Sequence, residues 1–129
     1  MEINWIGIIA ATVSAFVLGG IWYGPLFGKK WQALVGLSDE QVKSANMAKT
    51  FGGAFVLTFI AAFVFAMFLG PDITLQQGLA YGASAGLCWV AASFGINYLF
   101  AQRPLALWLI DGGYATLMFT LFGGLLGVL

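Results

Sequence analysis

The chain has 129 residues, of which 61% are hydrophobic and only 8% carry a charge, and its formal net charge is zero. A soluble domain usually has about 25% charged residues, so five basic and five acidic residues cannot cover the surface of a globule of this size. The composition therefore excludes an ordinary soluble domain. It also excludes a nucleic-acid-binding protein, which requires a basic face.

Histidine is absent, and Cys88 is the only cysteine. The commonest general base and the commonest transition-metal ligand are therefore missing. No pair of acidic residues and no cluster of metal-ligand residues has a spacing that suits catalysis or metal binding. We therefore expect neither an enzyme nor a bound cofactor.

Four apolar stretches are long enough to cross a membrane, since a hydrocarbon layer of roughly 30 Å requires about 20 helical residues. Gly24-Pro25 is predicted to end the first stretch and Gly70-Pro71-Asp72 the second. Thr74 and Gln77 are typical of a capping box that opens the third. The sequence thus predicts an all-α integral membrane bundle of four transmembrane helices, forming a single domain over 1–129. The predicted spans are 3–23, 51–69, 75–100 and 105–128.

The connection over 24–50 differs from the two short ones, because it mixes polar and apolar residues. Phe27, Trp31 and Leu34 recur at helical spacing with lysines between them, which predicts a short amphipathic helix on the membrane surface. Ser38 followed by Gln41 indicates a second capping box. We expect the helix that it opens to continue without a break into the second span.

The basic residues indicate the orientation, because all of them lie in the first and third connections: Lys29, Lys30, Lys43, Lys49 and Arg103. These connections lie on the same side of the membrane, which the positive-inside rule identifies as cytoplasmic. We therefore expect a multi-pass protein of the cell (inner) membrane with both termini extracytoplasmic. The anionic lipids of the inner leaflet are expected partners of this basic side.

Small residues recur every four positions in each span, which is typical of helices whose backbones approach closely in lipid. Packing within one chain explains most of these rows, and the remainder favours a homo-oligomer. The rows in the third and fourth spans are Gly78, Gly82, Gly86 and Gly112, Thr116, Thr120, Gly124.

Asp111 is the only acidic residue well inside a span, about 12 Å along the helix from Arg103. An ionisable group at that depth is costly and indicates either a proton or cation site or a structural hydrogen-bonding lock. Asn97 lies at a similar depth in the third span, and Ser93 lies one turn further from the turn that joins the two helices. We expect the side chains of Asn97 and Asp111 to approach within hydrogen-bonding or one-water distance.

The run GIWYGPLFGK over 20–29, followed by Trp31, resembles the signature of an uncharacterised membrane-protein family, domain of unknown function 1761. The runs ANMAK over 45–49 and IDGGY over 110–114 resemble later motifs of that family. The resemblance implies a four-helix membrane protein without an assigned activity. It also implies that relatives often have asparagine at the position of Asp111, which favours a second candidate site on the cytoplasmic face. That candidate comprises Trp22, Tyr23, Gly24, Pro25, Phe27, Lys29, Trp31 and Asn46.

Two functions are compatible with these features. The first is a small homo-oligomeric transporter or channel-like protein, with a path near Asp111, Asn97 and the turn from Trp22 to Trp31. Four helices enclose little water, so such a path requires an oligomer axis or alternating access at the bundle centre. The alternative is a non-transport scaffold or a module that binds a lipid or a partner. It predicts a dry, closed bundle with an exposed apolar groove.

Overall fold

A computed structural model describes residues 3–129, and within that range the chain forms helices and no strand. The helices, in chain order, are α1 Trp5–Ile21, a π-helical turn Trp22–Leu26, α2 Gly28–Val35, α3 Asp39–Ser44, α4 Met47–Leu69, α5 Leu75–Ala85, a π-helical segment Gly86–Ala91, α6 Ala92–Phe100 and α7 Leu105–Val128.

Four continuous helical segments are long and apolar enough to cross a membrane, and we call them the first to fourth spans. They are Trp5–Leu26, Met47–Leu69, Leu75–Phe100 and Leu105–Val128. The predicted all-α membrane bundle of four transmembrane helices is thereby confirmed. We call the side of the bundle with the connection after the first span and the turn between the third and fourth spans the basic side.

The first span does not end at Gly24-Pro25, as the sequence suggested, but continues to Leu26. A proline inside an α-helix clashes with the carbonyl group four residues earlier and provides no N–H of its own. The chain accommodates Pro25 by widening into a π-helical turn, in which the N–H of Phe27 donates to the Trp22 carbonyl oxygen at 2.9 Å. The widened turn contains Trp22 and Tyr23 of the second candidate site.

The connection between the first two spans contains two short helices. The predicted capping box is present, with the Ser38 side chain accepting from the N–H of Gln41. The helix that it opens ends at Ser44, so the expected continuous helix into the second span is wrong. Asn46 is the reason, because its side chain accepts from the N–H of Lys49 at 3.1 Å and starts a new helix at Met47.

The third and fourth spans pack with their backbones in contact. A methyl group added at Gly78 would overlap the carbonyl oxygen of Gly123, and one added at Gly82 would overlap that of Phe119. Gly86 meets the carbonyl oxygen of Ala115 in the same way, so the contact row of the fourth span is Ala115, Phe119 and Gly123. Lipid provides no hydrophobic drive for helix association, so this close approach supplies dispersion contacts that hold the pair together.

The second span lies at the periphery. Only Ala62 and Phe65 of this helix are buried, and they join a core with Ile8 of the first span and Phe122 of the fourth. The half of the helix nearest the basic side, Met47–Leu57, is exposed along its whole length. The first, third and fourth spans therefore form the compact part of the bundle.

Candidate functional site

Asp111 is the centre of a polar cluster on the basic side of the bundle. Its side chain is only 8% exposed, although it lies in an otherwise apolar helix. The hydroxyl of Tyr23 donates to Oδ1 at 2.6 Å, and the hydroxyl of Tyr98 donates to Oδ2 at 2.5 Å. One carboxyl group therefore joins the first, third and fourth spans, and each of its oxygens accepts a hydrogen bond.

Aromatic neighbours fix the position of Tyr23. Its ring meets Trp31 of α2 edge to face at 5.6 Å between centroids, and it meets Tyr114 of the fourth span at 5.2 Å. Tyr114 in turn donates to the carbonyl oxygen of Ala15 at 2.8 Å. The Trp31 indole N–H is buried and has no acceptor within residues 3–129.

Two tryptophans strengthen the same end of the bundle by donating to backbone carbonyl groups. Trp22 Nε1 donates to the Ile110 oxygen at 2.9 Å, and Trp108 Nε1 donates to the Ala91 oxygen at 2.7 Å. Ala91 ends the π-helical segment of the third span. A π-helical stretch disturbs the regular α-helical hydrogen-bonding pattern. The Trp108 indole supplies a hydrogen bond to the Ala91 carbonyl group where this stretch ends.

Asn97 and Asp111 were expected within hydrogen-bonding or one-water distance, and no direct hydrogen bond joins their side chains within residues 3–129. Asp111 is bonded to Tyr98 instead, and neighbouring positions on a helix point about 100° apart. Asn97 and Ser93 are exposed and line a shallow groove on the outside of the third span. The Ser93 hydroxyl donates to the carbonyl oxygen of Trp89 within its own helix.

The residues of the second candidate site, which the sequence placed between Trp22 and Asn46, are only partly brought together. Trp22, Tyr23, Gly24 and Pro25 form the π-helical turn, and the Trp22 ring packs on Phe27 at 4.8 Å. Lys29 is exposed on α2 and takes no part in the hydrogen bonds of the Asp111 carboxyl group. Asn46 caps the second span and is exposed.

Sequence reasoning missed Tyr98 as a partner of Asp111. The sequence feature that could have identified Tyr98 is its position near the end of the third span. Across the short turn, a residue there lies at a depth in the membrane similar to that of Asp111 near the start of the fourth span. Which of Asn97 and Tyr98 points inward depends on the rotation of the third span, and the π-helical segment Gly86–Ala91 alters that rotation relative to a regular helix.

Two grooves flank the polar cluster. The first, which we call the lateral groove, lies between the first and second spans and encloses about 420 Å³. Its lining includes Phe16, Gly20, Tyr23, Phe51, Ala54 and Tyr114. The second, which we call the arginine groove, lies between the third and fourth spans, encloses about 300 Å³, and includes Tyr98 and Arg103. Tyr23 thus lines one groove, Tyr98 lines the other, and both donate to Asp111.

The cluster can act chemically in two ways. A buried carboxyl group with two hydroxyl donors is a strong structural lock, because separating the spans would leave polar groups unpaired in hydrocarbon. The same group is also ionisable, and ionisable groups inside membrane proteins often mark proton or cation pathways.

Comparison with known proteins identifies one relationship. A family model described as "Protein of unknown function (DUF1761)" matches residues 6–127, which is almost the whole chain. No curated protein and no solved structure matches the sequence.

Proposed function

This chain belongs to the family described as protein of unknown function DUF1761, and since that description names no activity, we propose a function from the chain's own geometry. We propose that the protein is a non-catalytic membrane module that binds a lipid in the lateral groove. The observation that carries the proposal is the groove itself. It is open towards the surrounding membrane, is large enough at about 420 Å³ for part of an acyl chain, and has aromatic and glycine walls.

The closed interior supports lateral binding over passage through one chain. The backbones of the third and fourth spans touch at Gly78 and Gly123, and Ile8 and Phe122 are completely buried. A partly open space at the opposite end of the bundle, next to Gly70, has a volume of only about 30 Å³. That volume fits about one water molecule. The lateral groove and the arginine groove, at about 420 and 300 Å³, are larger and more open.

The second span explains how the groove can exist. It is buried only at Ala62 and Phe65, while its near half is exposed and meets the first span through the edge-to-face contact of Phe55 with Phe16 at 5.5 Å. Gly20 on the first span contributes no side chain, and nothing lies within 4 Å of a methyl group placed there. A lipid chain in the groove would add dispersion contacts to the few that this half of the helix makes with the first span.

Filling the groove tests the proposal. Gly20→Leu should place an isobutyl group in the lateral groove without disturbing the helix packing, whereas Gly53→Leu adds the same group where nothing lies within 4 Å and outside the groove lining. Native mass spectrometry of protein extracted with its lipids should show retained lipid for the parent and for Gly53→Leu. It should show severalfold less for Gly20→Leu. Equal retention in all three proteins would contradict the proposal.

A transporter or channel-like function is the second candidate, and the hydrogen bonds of Asp111 favour it. Tyr23, Asp111 and Tyr98 form a continuous hydrogen-bonded series across three spans, in which the two hydroxyls donate to one ionisable carboxyl group. A path would require an axis between copies of the chain, so this candidate includes a homo-oligomer. Proton or cation flux into liposomes that Asp111→Asn abolishes would favour it over the lipid-binding module.

The proposed orientation places the basic side in the cytoplasm of a cell with both termini outside, in the cell (inner) membrane. Four of the five basic residues lie in the first and third connections and Lys49 lies in the first turn of the second span, so all five are on the basic side, which supports this orientation. Their proximity to the inner leaflet makes anionic lipid a natural partner, at about 1 kcal/mol for each basic residue near the surface. Labelling of Lys43 by an impermeant reagent only after the cells are opened is the expected result.

A further inference from the structure

The arginine groove combines an apolar wall with one positive charge. It lies on the basic side, where the third and fourth spans meet, and encloses about 300 Å³. Leu99, Leu105 and Trp108 form much of its wall, and Arg103 lies at the turn between the helices. It is separate from the lateral groove, so the two sites can be tested independently.

The backbone of the turn holds Arg103 in a defined place. Gln102 adopts the left-handed conformation with φ 58°, which ends the third span. The Arg103 N–H then donates to the carbonyl oxygen of Tyr98 at 2.9 Å, and Pro104 follows with φ −68°. The side chain of Arg103 is exposed at the rim of the groove. The backbone of Arg103 is therefore held in place beside the apolar wall, and its guanidinium lies within reach of the groove.

The nearest acidic residue along the fourth span does not need Arg103 as a partner. Both oxygens of Asp111 accept hydrogen bonds from tyrosine hydroxyls. A guanidinium binds a phosphate group through two parallel hydrogen bonds. At the membrane interface the abundant phosphate is that of the phospholipids, and the anionic ones are attracted to a basic surface.

Charge, rather than the apolar wall, must provide the selectivity of this groove. Lipid tails are as apolar as leucine side chains, so exchanging one for the other yields no hydrophobic gain. The wall can orient a chain, but only the guanidinium distinguishes one headgroup from another. We propose that the arginine groove binds an anionic phospholipid, with its phosphate on Arg103 and an acyl chain along Leu99, Leu105 and Trp108.

The experiment measures lipid preference on the purified full chain in detergent. Phosphatidylglycerol and phosphatidylcholine are titrated separately, and bound lipid is counted by native mass spectrometry. Arg103→Gln should lower the preference for phosphatidylglycerol by about fivefold, which corresponds to about 1 kcal/mol for one interfacial charge. The variant keeps the backbone N–H that ends the third span, so the fold is expected to persist, and circular dichroism checks this.

The matched control is Lys49→Gln, which removes the same charge from an exposed position on the basic side that lines neither groove. It should leave the preference unchanged, because in detergent no anionic leaflet attracts the basic side as a whole and Lys49 lines neither groove. An equal loss in Lys49→Gln and Arg103→Gln would overturn the proposal in favour of general surface attraction, and no loss in Arg103→Gln would overturn it outright.

Two further arms identify the ligand and separate the two lipid sites. A large excess of inorganic phosphate should not displace phosphatidylglycerol, because free phosphate makes no contact with the apolar wall. Full displacement would show an anion site that does not require a lipid. Gly20→Leu, which fills the lateral groove, should keep the preference for phosphatidylglycerol, so failure of either proposal leaves the other standing.

Discussion

Small residues lie in both the third span and the second span, but only those of the third span are in close contact with a neighbouring helix. The third span presents Gly78, Gly82 and Gly86 to the backbone of the fourth. The second span also has small residues, including Gly52, Gly53 and Ala54, but nothing lies within 4 Å of a methyl group added at either glycine.

The difference shows that small residues permit close packing without causing it. In lipid, association depends on van der Waals contact and hydrogen bonds between helices. The third and fourth spans are joined by a short turn and by hydrogen bonds from Tyr98 and Trp108. Side-chain hydrogen bonds of this kind between the second span and the others are absent from residues 3–129 as described, and most of the second span faces lipid. Three substitutions would sharpen or break this comparison.

The largest effect is expected at the glycine contact. Gly123→Ala places a methyl group against the carbonyl oxygen of Gly78 and must push the two backbones apart. Overpacking of a tight contact costs about 3 kcal/mol when backbone has to move. Unfolding in mixed micelles with increasing dodecyl sulfate, followed by circular dichroism, measures the loss. Gly52→Ala is the control and should change stability by less than about 0.5 kcal/mol, so similar losses in both variants would refute the distinction.

A smaller loss is expected at the carboxyl group. Asp111→Ala leaves the hydroxyls of Tyr23 and Tyr98 without their acceptor and should cost about 2 kcal/mol. Tyr81→Phe, which removes a hydroxyl from a half-exposed ring, should be neutral. In a double-mutant cycle, Tyr98→Phe should have little further effect once Asp111 is alanine, because the shared bond is already lost. Additive losses would show that Tyr98 and Asp111 act separately.

The smallest of the three losses is expected in the second span. Ala62 is completely buried, and Ala62→Leu should cost about 1 kcal/mol because a peripheral helix can shift outward to make room. Val64→Leu enlarges a side chain that is 57% exposed on the same helix and should have no measurable effect. The same unfolding assay compares them, and a loss for Ala62→Leu as large as that for Gly123→Ala would place the second span in the compact part of the bundle.

The sequence by itself determined the class of fold and the approximate limits of the spans. Composition and length left lipid as the solvent, and the third and fourth spans begin and end in the structure at the residues that the pattern predicted. The capping box at Ser38 was equally readable, because it depends on local hydrogen bonds within four residues. Asp111 was identifiable as the centre of a site because a carboxyl group in an apolar helix is costly wherever the helix packs.

Only the tertiary structure decided which residues meet Asp111 and where the grooves lie. The first span passes through Pro25 as a π-helical turn and thereby brings Tyr23 to Oδ1. The π-helical segment of the third span changes the rotation of the helix beyond it, so Tyr98 points inward and Asn97 outward. The grooves likewise depend on how far each pair of helices diverges. Local sequence fixes where a helix begins and ends, whereas its rotation and its distance from neighbours follow from contacts between residues far apart in the chain.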